Sequence, residues 1–300
     1  MGKISAVINT RNAEKILPRV ITSVRNLADE IVVVDAKSDD KTKEVAGKCG
    51  AKVYEYEKLL TYVEPVRNFA ISKAKNEWVL LLDADEEVSE TLTQKLKKIV
   101  EKPFADYYRI PRKNIIFGKW IKHSRWWPDY NIRFFRKGSV TWSEIIHSVP
   151  ETHGKGSDLP AKVKYAIVHH NYQSIEQYIE RLNNFTSEHA KLLVKEGYQF
   201  SWYDLIKKPV AEFLSRYFQG EGYKDGIHGL ALSGLQGFSE LVLYLKVWQK
   251  EKFADRSLDP KDVIDVMKEA ESEVHYWQAD ALVKKGGGLT QKIKRKFKLP

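Results

Sequence analysis

The chain has 300 residues, 43% of them hydrophobic, and a formal net charge of +10. That length supports a large buried core and one or two domains. Its single cysteine, Cys49, excludes an intramolecular disulfide and a cysteine-rich metal site, and is consistent with a reducing compartment.

Ile4-Ser5-Ala6-Val7-Ile8 reads as a first strand entered directly from the N-terminus, so no signal peptide is expected. The polar turn Asn9-Thr10-Arg11-Asn12 follows, then a helix carrying Ile16, Leu17, Val20, Ile21 and Val24. Glu30 to Asp35 is a second strand that ends on a carboxylate, where a base or ribose contact would fall. In the segment after it, Ser38 or Asp39 suits a helix N-cap. Ala51 to Tyr56 reads as a third strand, and Trp78-Val79-Leu80-Leu81-Leu82 as a fourth, buried on both faces. Alternating strands and helices predict an α/β fold whose parallel strands bring their carboxyl ends to one edge. Asp83-Ala84-Asp85 then sits at the crevice such a sheet offers a ligand. Hard oxygen ligands there suit Mg²⁺ or Mn²⁺, which would hold a diphosphate.

Four ordered blocks carry a resemblance. They are Thr10-x-Asn12-x-Glu14; Val33-Val34-Asp35-x-x-Ser38-x-Asp40-x-Thr42; Arg67-Asn68-x-Ala70; and Glu77-Trp78-x-x-x-Leu82-Asp83-Ala84-Asp85-Glu86. Together they resemble the family 2 glycosyltransferases with a GT-A fold, most closely the lipopolysaccharide-core and cell-surface-glycan branch. The pattern departs at Ala13, where a Glu usually follows the Asn, and at Ala36, Lys37 and Lys41, where small residues are usual. The resemblance implies a Rossmann-like, mainly parallel sheet flanked by helices over residues 1–170. It also implies a helical region over 171–283 packing on the acceptor side, and the run of basic residues after the triple glycine reads as a flexible tail over 284–300. Thr10, Arg11, Asn12, Asp35 and Ser38 would meet the nucleotide, and Asp85, with Asp83 and Glu87, a divalent cation. Arg11, Arg67 or Arg133 would share the charge of the leaving diphosphate. Such enzymes invert the anomeric centre in one displacement.

The middle of the chain carries Trp126-Trp127-Pro128-Asp129. Adjacent tryptophans before a proline suit a loop that stacks on a sugar ring or anchors itself to the core. Asp129, followed by Arg133 and Gly138, resembles the acidic motif that supplies the general base. Related chains often have His-Glu where His147-Ser148 stands, which makes Glu144 the second candidate. His147 is expected near the diphosphate or metal, or as a core histidine. His169 and His170, after a strand from Val163 to Val168, read as structural.

Helical spacing then runs from Ser174 to Glu196, Asp204 to Phe218 with a kink at Pro209, Gly226 to Gln249, and Asp262 to Lys284. Phe213, Tyr217, Phe218, Phe238 and Leu241 to Leu245 fit either ordinary packing or a membrane-interface face. After Ala281 there are seven Lys or Arg and no acid, with Leu289, Ile293 and Phe297 recurring every four residues. That pattern suits an anionic bilayer surface, or else a merely solvated tail.

The expectation is an inverting, metal-assisted transferase that moves a sugar from a nucleotide-diphosphate sugar to a lipid-linked or cell-surface glycan. It would be cytoplasmic or peripheral at the cytoplasmic membrane face. The rivals are a catalytically degenerate scaffold, a basic nucleic-acid-binding protein and a sugar-phosphate nucleotidyltransferase. With the basic residues gathered at the C-terminus and no recognised motif, no nucleic-acid partner is expected. Asn9-Thr10-Arg11-Asn12 is not the Gly-rich loop a nucleotidyltransferase would need.

Overall fold

Buried apolar strands alternating with amphipathic helices build the first of two units in this computed structural model, which describes residues 2–57, 64–143 and 149–300. The first unit comprises Met1–Trp120 and Trp127–Asn171, the second Ile121–Trp126 and Tyr172–Pro300. In chain order the first unit begins β1 (Ile4–Thr10), α1 (Leu17–Val24), β2 (Glu30–Asp35), α2 (Thr42–Lys48) and β3 (Lys52–Glu55). It continues α3 (Glu64–Lys73), β4 (Trp78–Asp83), β5 (Glu86–Glu87), α4 (Glu90–Glu101), β6 (Tyr107–Ile116) and β7 (Lys119–Trp120). After these come β8 (Asp129–Arg136), β9 (Val140–Thr141), β10 (Glu151–Thr152), β11 (Gly156–Asp158) and β12 (Ile167–Tyr172).

The main sheet runs β3-β2-β1-β4-β8-β6-β12-β5. β1 pairs in parallel with β2 and β4, whereas β8 lies antiparallel to both β4 and β6. Chain order reverses between β1 and β4, so their carboxyl ends flank a switch point of the kind that opens a ligand crevice. β4 is buried on both faces because it separates two cores. Leu80 and Leu82 join Leu17, Val20 and Leu92 on one side; Val79 and Leu81 join Val66 and Ala70 on the other. Trp78 stacks on Phe134 with centroids 5.0 Å apart, closing the amino end of the strand.

Three expectations are corrected. The strand expected at Val163–Val168 lies at Ile167–Tyr172, and Val163–Tyr165 forms a 3₁₀ turn. β12 buries Ile167, His169 and Asn171 in strict alternation, and two of those inward residues are polar, which hides the strand from an apolar pattern. Neither Ser38 nor Asp39 caps α2, whose first turn follows Lys41, while Asp40 accepts from the Thr42 N–H at 2.9 Å. Nor is the basic tail expected over 284–300 without regular structure, because Leu289–Phe297 is helical.

The second unit is helical: α5 (Ile175–Lys195), α6 (Asp204–Leu214), α7 (Ile227–Lys250), α8 (Pro260–Lys284) and α9 (Leu289–Phe297). Ser174 caps α5 by accepting from the Gln177 N–H at 3.2 Å. α6 carries Pro209 in its interior and runs into a π-helical turn at Ser215–Gln219. Ala190, Phe200, Leu243, Tyr244 and Val247 form a core here, so Leu243 and Tyr244 serve packing instead of a membrane face. No helix among the described residues is long and apolar enough to cross a membrane.

Candidate active site

The site grows from the carboxyl ends of β1, β2 and β4. Register places Asn9 beside Asp83 and Thr10 beside Asp35. Asn9 and Thr10 are 4% and 5% exposed, and their side-chain polar atoms have no hydrogen-bond partner among the described residues. Buried polar groups left open at a crevice mouth are suited to a polar ligand.

The loops after β1 and β2 are stitched together beside them. The Asn12 N–H donates to Ser38 Oγ at 2.8 Å, and the Asp39 N–H to Asn12 Oδ1 at 3.0 Å. Ala13 N–H donates to Thr42 Oγ1, Glu14 N–H to Asp40, and Lys41 N–H to Glu14 Oε2. Asp35 is fully buried and accepts from the N–H and the hydroxyl of Ser38 at 2.9 and 2.5 Å. Asp35, Ser38 and Asn12 are thus the frame of this wall, and Arg11 lies exposed at its rim.

A continuous polar ladder crosses the sheet from Asp83 to Asp85. Arg133, on β8 and 2% exposed, donates one Nη2 to Asp83 Oδ2 at 2.6 Å and to Glu86 Oε1 at 2.7 Å. Arg67, on α3, reaches the same Asp83 oxygen at 3.3 Å. Arg112, on β6, bridges Glu86 Oε1 at 3.2 Å and Asp129 Oδ2 at 2.6 Å. Asn114 Nδ2 donates to Asp129 Oδ2 at 3.1 Å, while its Oδ1 lies 2.6 Å from His169 Nδ1. His169 Nε2 then faces Asp85 Oδ1 at 3.5 Å. Burial would push the Asp83 carboxyl up, but the charges of Arg133, Arg67 and Arg112 outweigh it and hold it well below the usual range. Burial likewise opposes the Arg133 charge, and Asp83 with Glu86 more than restores it.

Asp83 is committed to two arginines, so Arg67 and Arg133 neutralise this carboxylate instead of waiting for a diphosphate. Glu87 turns away from the pair to Arg19 and to His170 Nε2, the latter at 2.8 Å. The expected ligand trio Asp83, Asp85 and Glu87 is therefore not gathered, and no group of three His, Cys, Asp or Glu suited to a metal ion exists among the described residues. A smaller donor set does fit a cation. Because Asn114 Oδ1 accepts, His169 Nδ1 carries the ring proton, and in the neutral ring Nε2 turns a lone pair toward Asp85. The carboxylate oxygen suits Mn²⁺ or Mg²⁺ that takes its other ligands from phosphate and water, and the neighbouring imidazole nitrogen suits Mn²⁺ better than the all-oxygen preference of Mg²⁺.

Asp129 accepts from Arg112, Asn114 and, on Oδ1, from Asn131 Nδ2 at 3.1 Å, which leaves Oδ1 lone-pair capacity. Glu144 and His147 lie outside the described residues. Asn68 holds the chain just before them, donating to Trp142 O at 2.6 Å and accepting from its N–H at 2.9 Å. Trp127 packs edge-on to Trp120 with centroids 5.5 Å apart, and the Trp126 N–H closes a turn on His123 O within the second unit. Sequence reasoning read His169 as structural, quoted Glu86 only within its motif block, and did not single out Arg112 or Asn114. The signal for Asn114 and His169 was alternation along β6 and β12 with polar residues on the inward side.

Residues 5–152 match the family model described as Glycosyl transferase family 2. An uncharacterized glycosyltransferase of Rickettsia typhi is 34% identical over 82% of this chain and 87% of its own length. The lipopolysaccharide core biosynthesis glycosyltransferase LpsC of Rhizobium meliloti is 26% identical over 80% of this chain and 86% of its own. Among solved structures, S. aureus TarS in complex with UDP aligns with a TM-score of 0.46 at 15% identity, over 86% of this chain and 94% of that one.

Proposed function

The chain belongs to glycosyl transferase family 2, and from that membership we propose that it transfers a sugar, with inversion, from a nucleoside-diphosphate sugar to a hydroxyl of a cell-envelope glycan. The observation that carries the metal-assisted form of this reading is the Asp85–His169 pair, its tautomer set by Asn114. Asp85 and His169 would hold one Mn²⁺ or Mg²⁺, which when bound supplies positive charge to the departing diphosphate.

Charge accounting supports the same reading. Arg67, Arg112 and Arg133 pair with Asp83, Glu86 and Asp129, three charges of each sign, while the Asp85 carboxylate faces His169. A divalent ion held at Asp85 and His169 would add the positive charge that a diphosphate needs in this crevice. The acceptor oxygen attacks the anomeric carbon as the bond to the diphosphate oxygen breaks, and the hydroxyl proton passes to a carboxylate. Asp129 Oδ1 is our assignment for that base, with Glu144 the alternative. Asn9, Thr10 and the Asn12–Ser38 frame would position the nucleotide. The acceptor class rests on likeness to the lipopolysaccharide-core relative, at the identity given above.

The test is calorimetric titration of UDP, GDP and ADP into the protein with and without Mn²⁺. One of them should bind tightly only with the cation, and Asp85→Asn or His169→Ala should remove that dependence while the melting temperature holds. Unchanged metal-dependent affinity in both variants would reject the pair as the cation site.

A further inference from the structure

Amphipathic helices normally turn their apolar stripe inward; α9 does the opposite. It packs along α8 through polar residues: Gln291, Lys294 and Arg295 are its half-buried positions. Arg295 Nη1 donates to Asp280 Oδ1 at 3.0 Å, and just past the helix Lys298 Nζ meets Glu273 Oε1 at 2.5 Å. Leu289, Ile293 and Phe297 are 73%, 45% and 61% exposed and share one outward face, with Leu299 close behind at 47%. At 100° per residue, Lys292 and Lys296 flank this stripe on one side. Both are exposed.

A free amphipathic tail would simply fold its stripe onto α8. Here two ion pairs pin the polar face instead, so the apolar face is presented deliberately. What covers it is indicated by charge. Of the seven cations from Lys284 to the end, Lys284, Arg295 and Lys298 pair with Asp280 or Glu273. Lys292, Lys294 and Lys296 make no ion pair among the described residues, so the surroundings of the stripe repel another basic surface, including a second copy of this segment. They attract an anionic one. A helix of 9 residues with three large apolar side chains and flanking lysines is dimensioned to lie in a bilayer interface, not to cross it.

We propose that α9 is a membrane-docking helix. It is held polar-side-in on α8 and inserts Leu289, Ile293 and Phe297 among the headgroups of an anionic bilayer such as a cytoplasmic leaflet. This goes beyond the transfer reaction and does not depend on it. Arg295–Asp280 and Lys298–Glu273 set the pose, while Lys292 and Lys296 are left to meet lipid phosphates.

The experiment is flotation of the full chain with vesicles of phosphatidylcholine alone or with phosphatidylglycerol, at low and high salt. Binding is expected only with the anionic lipid and is reduced by salt. Lys292→Gln with Lys296→Gln should lower the partition coefficient roughly 25-fold, at about fivefold per basic residue. Ile293→Glu with Phe297→Glu should abolish flotation with melting temperature unchanged, since both side chains are exposed in the folded protein. Arg295→Gln with Lys298→Gln frees the helix from α8 and should weaken binding by more than the lysine pair does. The proposal is overturned if the full chain fails to float with anionic vesicles. It is equally overturned if the glutamate variant floats as well as the parent. Dimerisation in sedimentation that the glutamate variant alone abolishes, without flotation of the parent, would assign the stripe to self-association instead.

Discussion

Arg133 shows how one buried charge organises the site. It serves two carboxylates from a single nitrogen. Among the described residues, removing it leaves Asp83 only Arg67 at 3.3 Å and Glu86 only Arg112 at 3.2 Å, the longer of their ion pairs. Arg133→Met should therefore cost about 3–5 kcal/mol, the usual penalty for breaking a buried pair by deleting one partner. Urea denaturation measures it; a loss below about 1 kcal/mol, the scale of an exposed pair, would mean that solvent already screens the cluster. Asp129 makes a different case, because Arg112 and Asn114 both donate to Oδ2 whereas Oδ1 accepts only from the Asn131 amide among the hydrogen bonds described above. Asp129→Asn should keep donor affinity and lose on the order of 10²–10⁴ in turnover if Oδ1 takes the acceptor proton. Near-normal turnover in that variant, with a matching collapse in Glu144→Gln, would move the base to Glu144. The acidic pair itself was legible because two carboxylates end an apolar strand. Their division of labour was not, since Arg133 lies 50 positions from Asp83 and His169 reaches Asp85 from a different strand.

Elements met expectation where burial follows a clean period and departed where polar residues take inward places. β4 and α1 are apolar on every buried position, so their limits were read closely. β12 turns His169 and Asn171 inward, and its polar neighbours supply what burial demands. α7 carries a comparable hidden constraint at Gly229 and Gly237, where a Cβ would meet backbone, but not at Gly234. A Cβ on Gly229 would stand 1.8 Å from Gly222 O, a backbone atom that cannot swing aside, whereas Gly234 has nothing within 4 Å. Gly229→Ala should destabilise by at least the 1–3 kcal/mol typical of overpacking. Gly234→Ala should instead stabilise by about 0.5–1 kcal/mol through helix propensity. Paired melting curves of the two variants test the packing directly, and shifts of the same sign would refute it.

At the scale of the whole molecule, charge decides how stability responds to acid. The chain carries 50 Lys and Arg against 40 Asp and Glu, so protonating carboxylates adds repulsion to an already cationic protein. Several of those carboxyls are also depressed in the fold. Burial would raise Glu30, but the Lys75 N–H, Lys52 and Ser5 outweigh it; burial would raise Asp280, and Lys284 with Arg295 outweigh it; Asp83 is held lowest by its arginines. A carboxyl whose folded value lies below its unfolded one stabilises fully above the unfolded value and loses that contribution as pH falls toward the folded one. Melting temperature should therefore stay nearly level from about pH 8 to 5 and drop steeply below about pH 4, where unfolded Asp and Glu begin to bind protons. Because Asp83 supplies part of that slope, Arg133→Met should start lower at neutral pH yet descend more shallowly in acid. Its Asp83 has lost its nearest cation and gives up less on protonation. Added salt should soften the repulsive part in both proteins and leave the difference between their acid limbs, since the Arg133 cluster is buried and weakly screened. Calorimetric scans of the two proteins from pH 8 to 2.5 at two ionic strengths separate these contributions, and parallel acid limbs would show that Asp83 is not held down by Arg133.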